Sequence, residues 1–152
     1  MGNKKVKTAI IELGVAICVI AWLSFQAAPR LSQAARESKL AELSDTLYLI
    51  RCTIDMYRSE NDGLLPGQKE PDELVMPGDF VRALTTPGPD DRQPYFQRFP
   101  NNPFNVGPDS QNTITCVNDK RARPDGTEGT AWWFNSATGQ FRACDSKFHA
   151  AY

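Results

Sequence analysis

The feature that most constrains this chain is an apolar run near its start, TAIIELGVAICVIAWLSFQAAP, residues Thr8 to Pro29. Between Ile10 and Ala28 the only charged residue is Glu12. At 1.5 Å per residue the run is just long enough for a hydrocarbon core of about 30 Å. An ionised side chain in such a place costs at least about 2.5 kcal/mol, so it needs a partner or a function. Lys4, Lys5 and Lys7 precede the run, and the positive-inside bias then puts the N-terminus in the cytoplasm. No small-x-small cleavage site follows, so the segment reads as a retained anchor rather than a secretory signal peptide.

Beyond Pro29 the pattern changes from uniformly apolar to one-sided. Leu40, Leu43, Leu47, Ile50, Ile54 and Tyr57 recur at spacings of three and four, with Lys39, Glu42, Asp45, Arg51, Asp55 and Arg58 between them. This spacing predicts one helix from about Thr8 to Asn61, kinked or locally unwound at Pro29, where a backbone donor is missing. Gly63 is the expected left-handed C-cap, and Pro66 blocks continuation. Fewer than three heptads are present, so the stripe is expected to pack on the chain's own C-terminal domain rather than in a coiled coil.

From Asp62 to Tyr152 the composition shifts to Pro, Gly, Asn and Asp with short aromatic and β-branched runs. A short helix is expected over Gly78 to Leu84. The segment PYFQRFPNNPFNVGP is threaded with prolines and reads as a rigid loop. Strands are expected in NTITCV, TAWWFN and QFRAC, the last two joined by the turn SATG. An antiparallel sheet of these would cover the amphipathic half of the helix and bury both apolar faces. The organisation expected is thus a basic leader (1–7), an apolar helix (8–29), an amphipathic helix (30–61) and a loop-rich head (62–152), an α+β fold.

Chemistry-bearing residues are few. The net charge of −1 over 152 residues implies no bulk attraction to nucleic acid. The four cysteines are Cys18, Cys52, Cys116 and Cys144. Cys18 lies in the apolar run. In an oxidising compartment Cys116 and Cys144 would pair, with Cys52 to either partner left open. Cys144 and His149 lack a zinc spacing, and no C-x-x-C occurs. His149 is the only histidine and is the fourth residue from the end, where a solvated tail residue is expected rather than a general base. No phosphate-binding glycine loop or nucleophile elbow is present, and no enzyme is expected. The aromatic and basic mixture of RQPYFQRFP and WWF leaves single-stranded DNA stacking as a minor reading beside core packing.

On these residues the chain resembles the type IV pilin superfamily, most closely the major pseudopilins of type II secretion systems. Such proteins carry a basic leader, then a glutamate at the fifth mature position with a proline seventeen residues on, the separation of Glu12 and Pro29 here. TIDMYRSENDGLLP is similar to the family's helix-ending stretch, and FPNNPFN followed by TAWWFNSATGQFRA to its C-terminal pattern.

The resemblance implies a helical homopolymer in which Glu12 faces the amine of Thr8 in a neighbouring subunit. It also implies a prepilin peptidase, an assembly ATPase, an inner-membrane platform protein and minor pseudopilins as partners. Before assembly the subunit would sit in the bacterial inner membrane with its head in the periplasm. Lys7 and Thr8 stand where the family has glycine and commonly phenylalanine around the cleavage point. An unprocessed subunit would have Lys4, Lys5 or Lys7 as the cation for Glu12. The resemblance further implies calcium near the C-terminal sheet, for which Asp119, Asp125 and Glu128 supply oxygen ligands, with Lys120, Arg121 and Arg123 opposing. A non-polymerising membrane-anchored sensor or adaptor, or a DNA-uptake pilin, is the alternative.

Overall fold

The structure is a computed structural model. It describes residues 2–88, 92–105, 107 and 112–152; within the first 31 residues only the side chains at 13, 17, 18 and 22 are described. The elements run α1 (Gly2–Glu60), α2 (Pro77–Thr85), β1 (Ile114–Val117), β2 (Trp132–Asn135), β3 (Gln140–Ala143) and a closing 3-10 turn (His149–Ala151). The fold class is α+β, as expected. Two compact units are present, Met1–Leu40 and Ala41–Tyr152, so the division falls inside α1 rather than at its end. The reason lies in the stripe: from Leu43 onward α1 belongs to the core of the head.

α1 is helical through position 29, without the local unwinding expected there. In the head, Leu43, Leu47, Ile50 and Ile54 are at most 2 % exposed and Tyr57 packs against the same cluster. The helix ends at Glu60 with a bond from the Gly63 N–H to the Arg58 carbonyl (3.0 Å). That six-residue closure is a Schellman arrangement in which the left-handed C′ residue is Asp62 (φ 54°), one position before the glycine expected to take it. Gly63 follows with φ 85°, and the Asn61 amide donates to the Tyr57 carbonyl (2.7 Å).

α2 begins on Pro77, whose missing N–H costs nothing in a first turn, with Asp79 favourably placed at the positive end of the helix dipole. It buries Phe80 and Leu84. The hairpin expected from SATG joins β2 to β3, with Asn135 opposite Gln140. The Asn135 side chain accepts the Ala137 N–H (3.0 Å), and Gly139 (φ 77°) donates to the Asn135 carbonyl (2.8 Å).

The sheet itself departs from expectation. Its order is β1-β2-β3, and β1 runs parallel to β2, with Ile114 opposite Trp132 and Val117 opposite Asn135. The sheet is therefore mixed, not antiparallel. Residues 118–131 make the return crossover that a parallel pair requires. β2 lies in the middle with all four residues buried, as befits a strand covered on both faces. Trp132 and Phe134 join the core made by α1, α2 and β3, and Trp133 is buried at 1 % exposure without being part of that cluster. Arg51, on the flank of α1, ties the third strand in: its Nε donates to the Phe141 carbonyl (2.9 Å) and its Nη2 to that of Tyr152.

Candidate functional site

The sequence points first to Thr8, Glu12 and Pro29. Their backbone belongs to α1, and their side chains lie outside the described residues. What is described on α1 includes, beside its core stripe and a polar stretch at 32–39, several exposed apolar side chains. In the first unit Leu13, Ile17 and Trp22 are 63, 59 and 62 % exposed. In the second unit Tyr48, Leu49 and Met56 are largely exposed together with Cys52. Leu49, Cys52 and Met56 follow a spacing of three and four, so they form a stripe on the face that the head does not cover. Among the described residues no helix is long and apolar enough to cross a membrane; most side chains of the run 8–29 fall outside that set.

The cysteine pair expected from the sequence is not formed: Cys116 and Cys144 are both free. Cys116 is on β1, opposite Phe134, and Cys144 follows β3, so β2 separates them. Two strand spacings put their backbones about 10 Å apart, beyond the reach of a disulfide. Burial pushes the Cys116 thiol up to about 12, and burial with the neighbouring Glu128 carboxylate pushes Cys144 up to about 12. At neutral pH each then holds on the order of 10³-fold less thiolate than an ordinary cysteine, and the thiolate is the reacting form. In protein carrying Cys18→Ser, a maleimide should therefore label Cys52 within minutes and the other two only after unfolding. Peptide mass spectrometry reads this directly; rapid labelling of Cys144 in the folded chain would contradict its burial.

The three acidic residues do not assemble into a cation site. The Asp119 carboxylate accepts the Arg121 N–H (2.8 Å), and the Asp125 carboxylate accepts the Thr127 N–H (2.8 Å). Bonds from Thr127, hydroxyl first and then backbone, hold Asp125 below the usual carboxylate range. Glu128 accepts the Cys144 S–H (2.8 Å). The two aspartates each close their own turn, and Glu128 reaches across to Cys144. Among the described residues no group of three His, Cys, Asp or Glu side chains converges on a metal position.

His149 is not a solvated tail residue. It is 8 % exposed, its Nδ1 lies 2.5 Å from Asp145 Oδ2, and its ring packs 4.1 Å from that of Phe104. The other Asp145 oxygen accepts from the Asn102 amide (2.8 Å), which also donates to the Ala131 carbonyl (2.9 Å). Asn102 Oδ1 in turn accepts the Phe104 N–H (2.9 Å). Sequence reasoning noted the PNNPF segment but missed this junction. The available signal was an Asp and a His four residues apart, the spacing of one helical turn. The aromatics suggested for DNA stacking are spent elsewhere: Trp132, Trp133, Phe134 and Phe99 are buried, so WWF offers no stacking platform.

A cavity of about 340 Å³ opens where the end of α1 meets α2 and residues 86–88 and 92–95, with Tyr57, Asn61, Arg82, Arg92 and Tyr95 in its wall. Glu60 accepts from Arg92 (2.9 Å) and from the Tyr95 hydroxyl (2.5 Å) at its rim. Both Glu60 and Arg92 are solvent-accessible, so the ion pair contributes at most about 1 kcal/mol. It steadies the loop without supplying reactive chemistry. No protein-family model, curated protein or solved structure matches this chain.

Proposed function

We propose that this chain is a structural subunit of a type II secretion pseudopilus or a related type IV pilus, polymerising through the apolar half of α1. The observation that carries the reading is the division of α1: from Ala41 on it is part of the head's core, while residues 1–40, with the apolar run and Glu12, form a unit of their own. Exposed Leu13, Ile17 and Trp22 need a cover that water does not provide. Lipid supplies it before assembly, and the helices of other copies supply it afterwards. The membrane of origin is then the bacterial inner membrane, with the head in the periplasm. A peptidase, an ATPase, a platform protein and minor pseudopilins are the partners such a cycle uses.

Glu12 sets how neighbours align. In a bundle of apolar helices dispersion alone tolerates many staggers. A buried carboxylate accepts only those that bring a cation to it, because an unpaired charge there is strongly unfavourable. The cation is the Thr8 amine if the leader is removed after Lys7, or Lys4, Lys5 or Lys7 if it is not. Mass spectrometry of the native protein reads which.

Glu12→Ala should reduce sheared filaments by at least about tenfold in electron micrographs, since breaking a buried pair costs on the order of 3–5 kcal/mol. The head's thermal melt should be unchanged, because its core begins at Leu43. Filaments at wild-type abundance from that variant would remove Glu12 from the mechanism, and no filaments from the wild type would remove the proposal.

A further inference from the structure

We infer that the β1–β2 crossover is closed by a Cys144–Glu128 thiol–carboxylate clasp seated over Gly126, and that it takes no divalent cation. A parallel strand pair depends on its crossover, so whatever fastens residues 118–131 to the rest of the head also holds β1 in the sheet. A calcium ion would do this by drawing six to eight oxygens to about 2.3–2.6 Å. The residues that resemblance assigns to it are already committed. Glu128 Oε2 accepts from Cys144 Sγ (2.8 Å) and from the Thr127 N–H (3.0 Å), and Oε1 accepts the Asp125 N–H (3.3 Å). Asp125 and Asp119 close turns within two residues of themselves. Lys120, Arg121 and Arg123 lie in the same crossover, and the charge of Lys147 reaches Asp125.

The clasp has a second half in the backbone. Gly126 has φ 74°, and a Cβ built on it would meet the Ser146 carbonyl carbon at 2.2 Å and the Lys147 nitrogen at 2.3 Å. The turn Asp125–Glu128 thus lies flat on the segment that follows β3. Cys144 itself is completely buried, so its proton has no water to bond, and the carboxylate of Glu128 takes it. The contact links positions sixteen residues apart, which is the job a cation would otherwise perform.

The test uses the full-length protein in detergent, followed by circular dichroism during heating. Chelation with EDTA and addition of millimolar calcium should each leave the melting temperature unchanged. Cys144→Ala and Glu128→Ala should each lower it by about 3–8 °C. The double variant should fall no further than the worse single one, and Cys144→Ser, which keeps a donor, should recover most of the loss. A drop on chelation, or a rise with calcium, overturns the inference without need of any variant. So do additive losses, which would mean that the thiol and the carboxylate act separately. The outcome does not depend on whether the chain polymerises.

Discussion

Phe80→Ala should bring the head close to unfolding at room temperature. The ring is fully buried on α2 and lies within 5.9 Å of three other rings: Phe134 at 4.3 Å, Phe141 at 5.8 Å in a stacked arrangement, and Phe99 at 5.9 Å edge-on. It is therefore the point where a short helix, two strands and the proline-threaded loop meet. Truncating a buried phenylalanine costs about 3–5 kcal/mol through lost transfer energy and the cavity left behind. Ring pairs worth about 0.5–1.5 kcal/mol each beyond area are part of that cost, and three of them place it at the upper end of the range. A domain of this size has only about 5–15 kcal/mol in total. Urea denaturation monitored by circular dichroism measures the loss. Leu74→Ala and Met76→Ala, both exposed just before α2, should stay within about 0.5 kcal/mol of the parent. A Phe80→Ala loss under about 1 kcal/mol would show that the cluster relaxes around the gap, contrary to its packing here.

That Phe80 would be central was only half legible in the sequence. The stripe on α1 was readable because Leu43, Leu47, Ile50 and Ile54 repeat with helical spacing and nothing in the segment contradicts it. The second helix and the β2–β3 hairpin were readable because Pro77 and the SATG turn are local signals acting over a few residues. What failed was long-range. The parallel pairing of β1 is not legible in the strand patterns, because alternation marks a strand without marking its direction. Yet the fourteen residues from 118 to 131 are far too many for a tight hairpin and enough for a crossover. The cysteines looked like partners for the same reason, and the inserted β2 keeps them apart. Position near the end of the chain says little about His149, whose burial is set by the Asp145 and Phe104 side chains it meets in space. The C-cap slipped by one residue because Asp62 adopts a left-handed conformation that a local carboxylate or amide side chain tolerates and glycine merely makes easier. The residues of the proposed assembly are a separate matter, since the partner proposed for Glu12 is on another chain and its own side chain lies outside those described.

Asn102→Asp should destabilise the head more than Asn102→Ala, although aspartate is nearly the same size. Asn102 is 1 % exposed and uses every face of its amide. Its Nδ2 donates to the Ala131 carbonyl and to Asp145 Oδ1, and its Oδ1 accepts the Phe104 N–H. Alanine removes all three bonds and strands buried groups at one to a few kcal/mol, for a loss of about 2–4 kcal/mol. Aspartate keeps only the bond from Phe104. It also places a second carboxylate against Asp145 and turns a lone pair toward the Ala131 carbonyl, so repulsion is added to the lost bonds, for a total beyond about 4 kcal/mol. The damage should spread to the closing turn, because Asp145 is what holds His149 in its buried position. Amide hydrogen exchange over 144–152 should accelerate in both variants before global unfolding, and more in the aspartate one. Equal stability of Asn102→Asp and the parent would mean that residue 102 does not donate at this junction, and the fastening of the proline-threaded loop to the sheet would have to lie elsewhere.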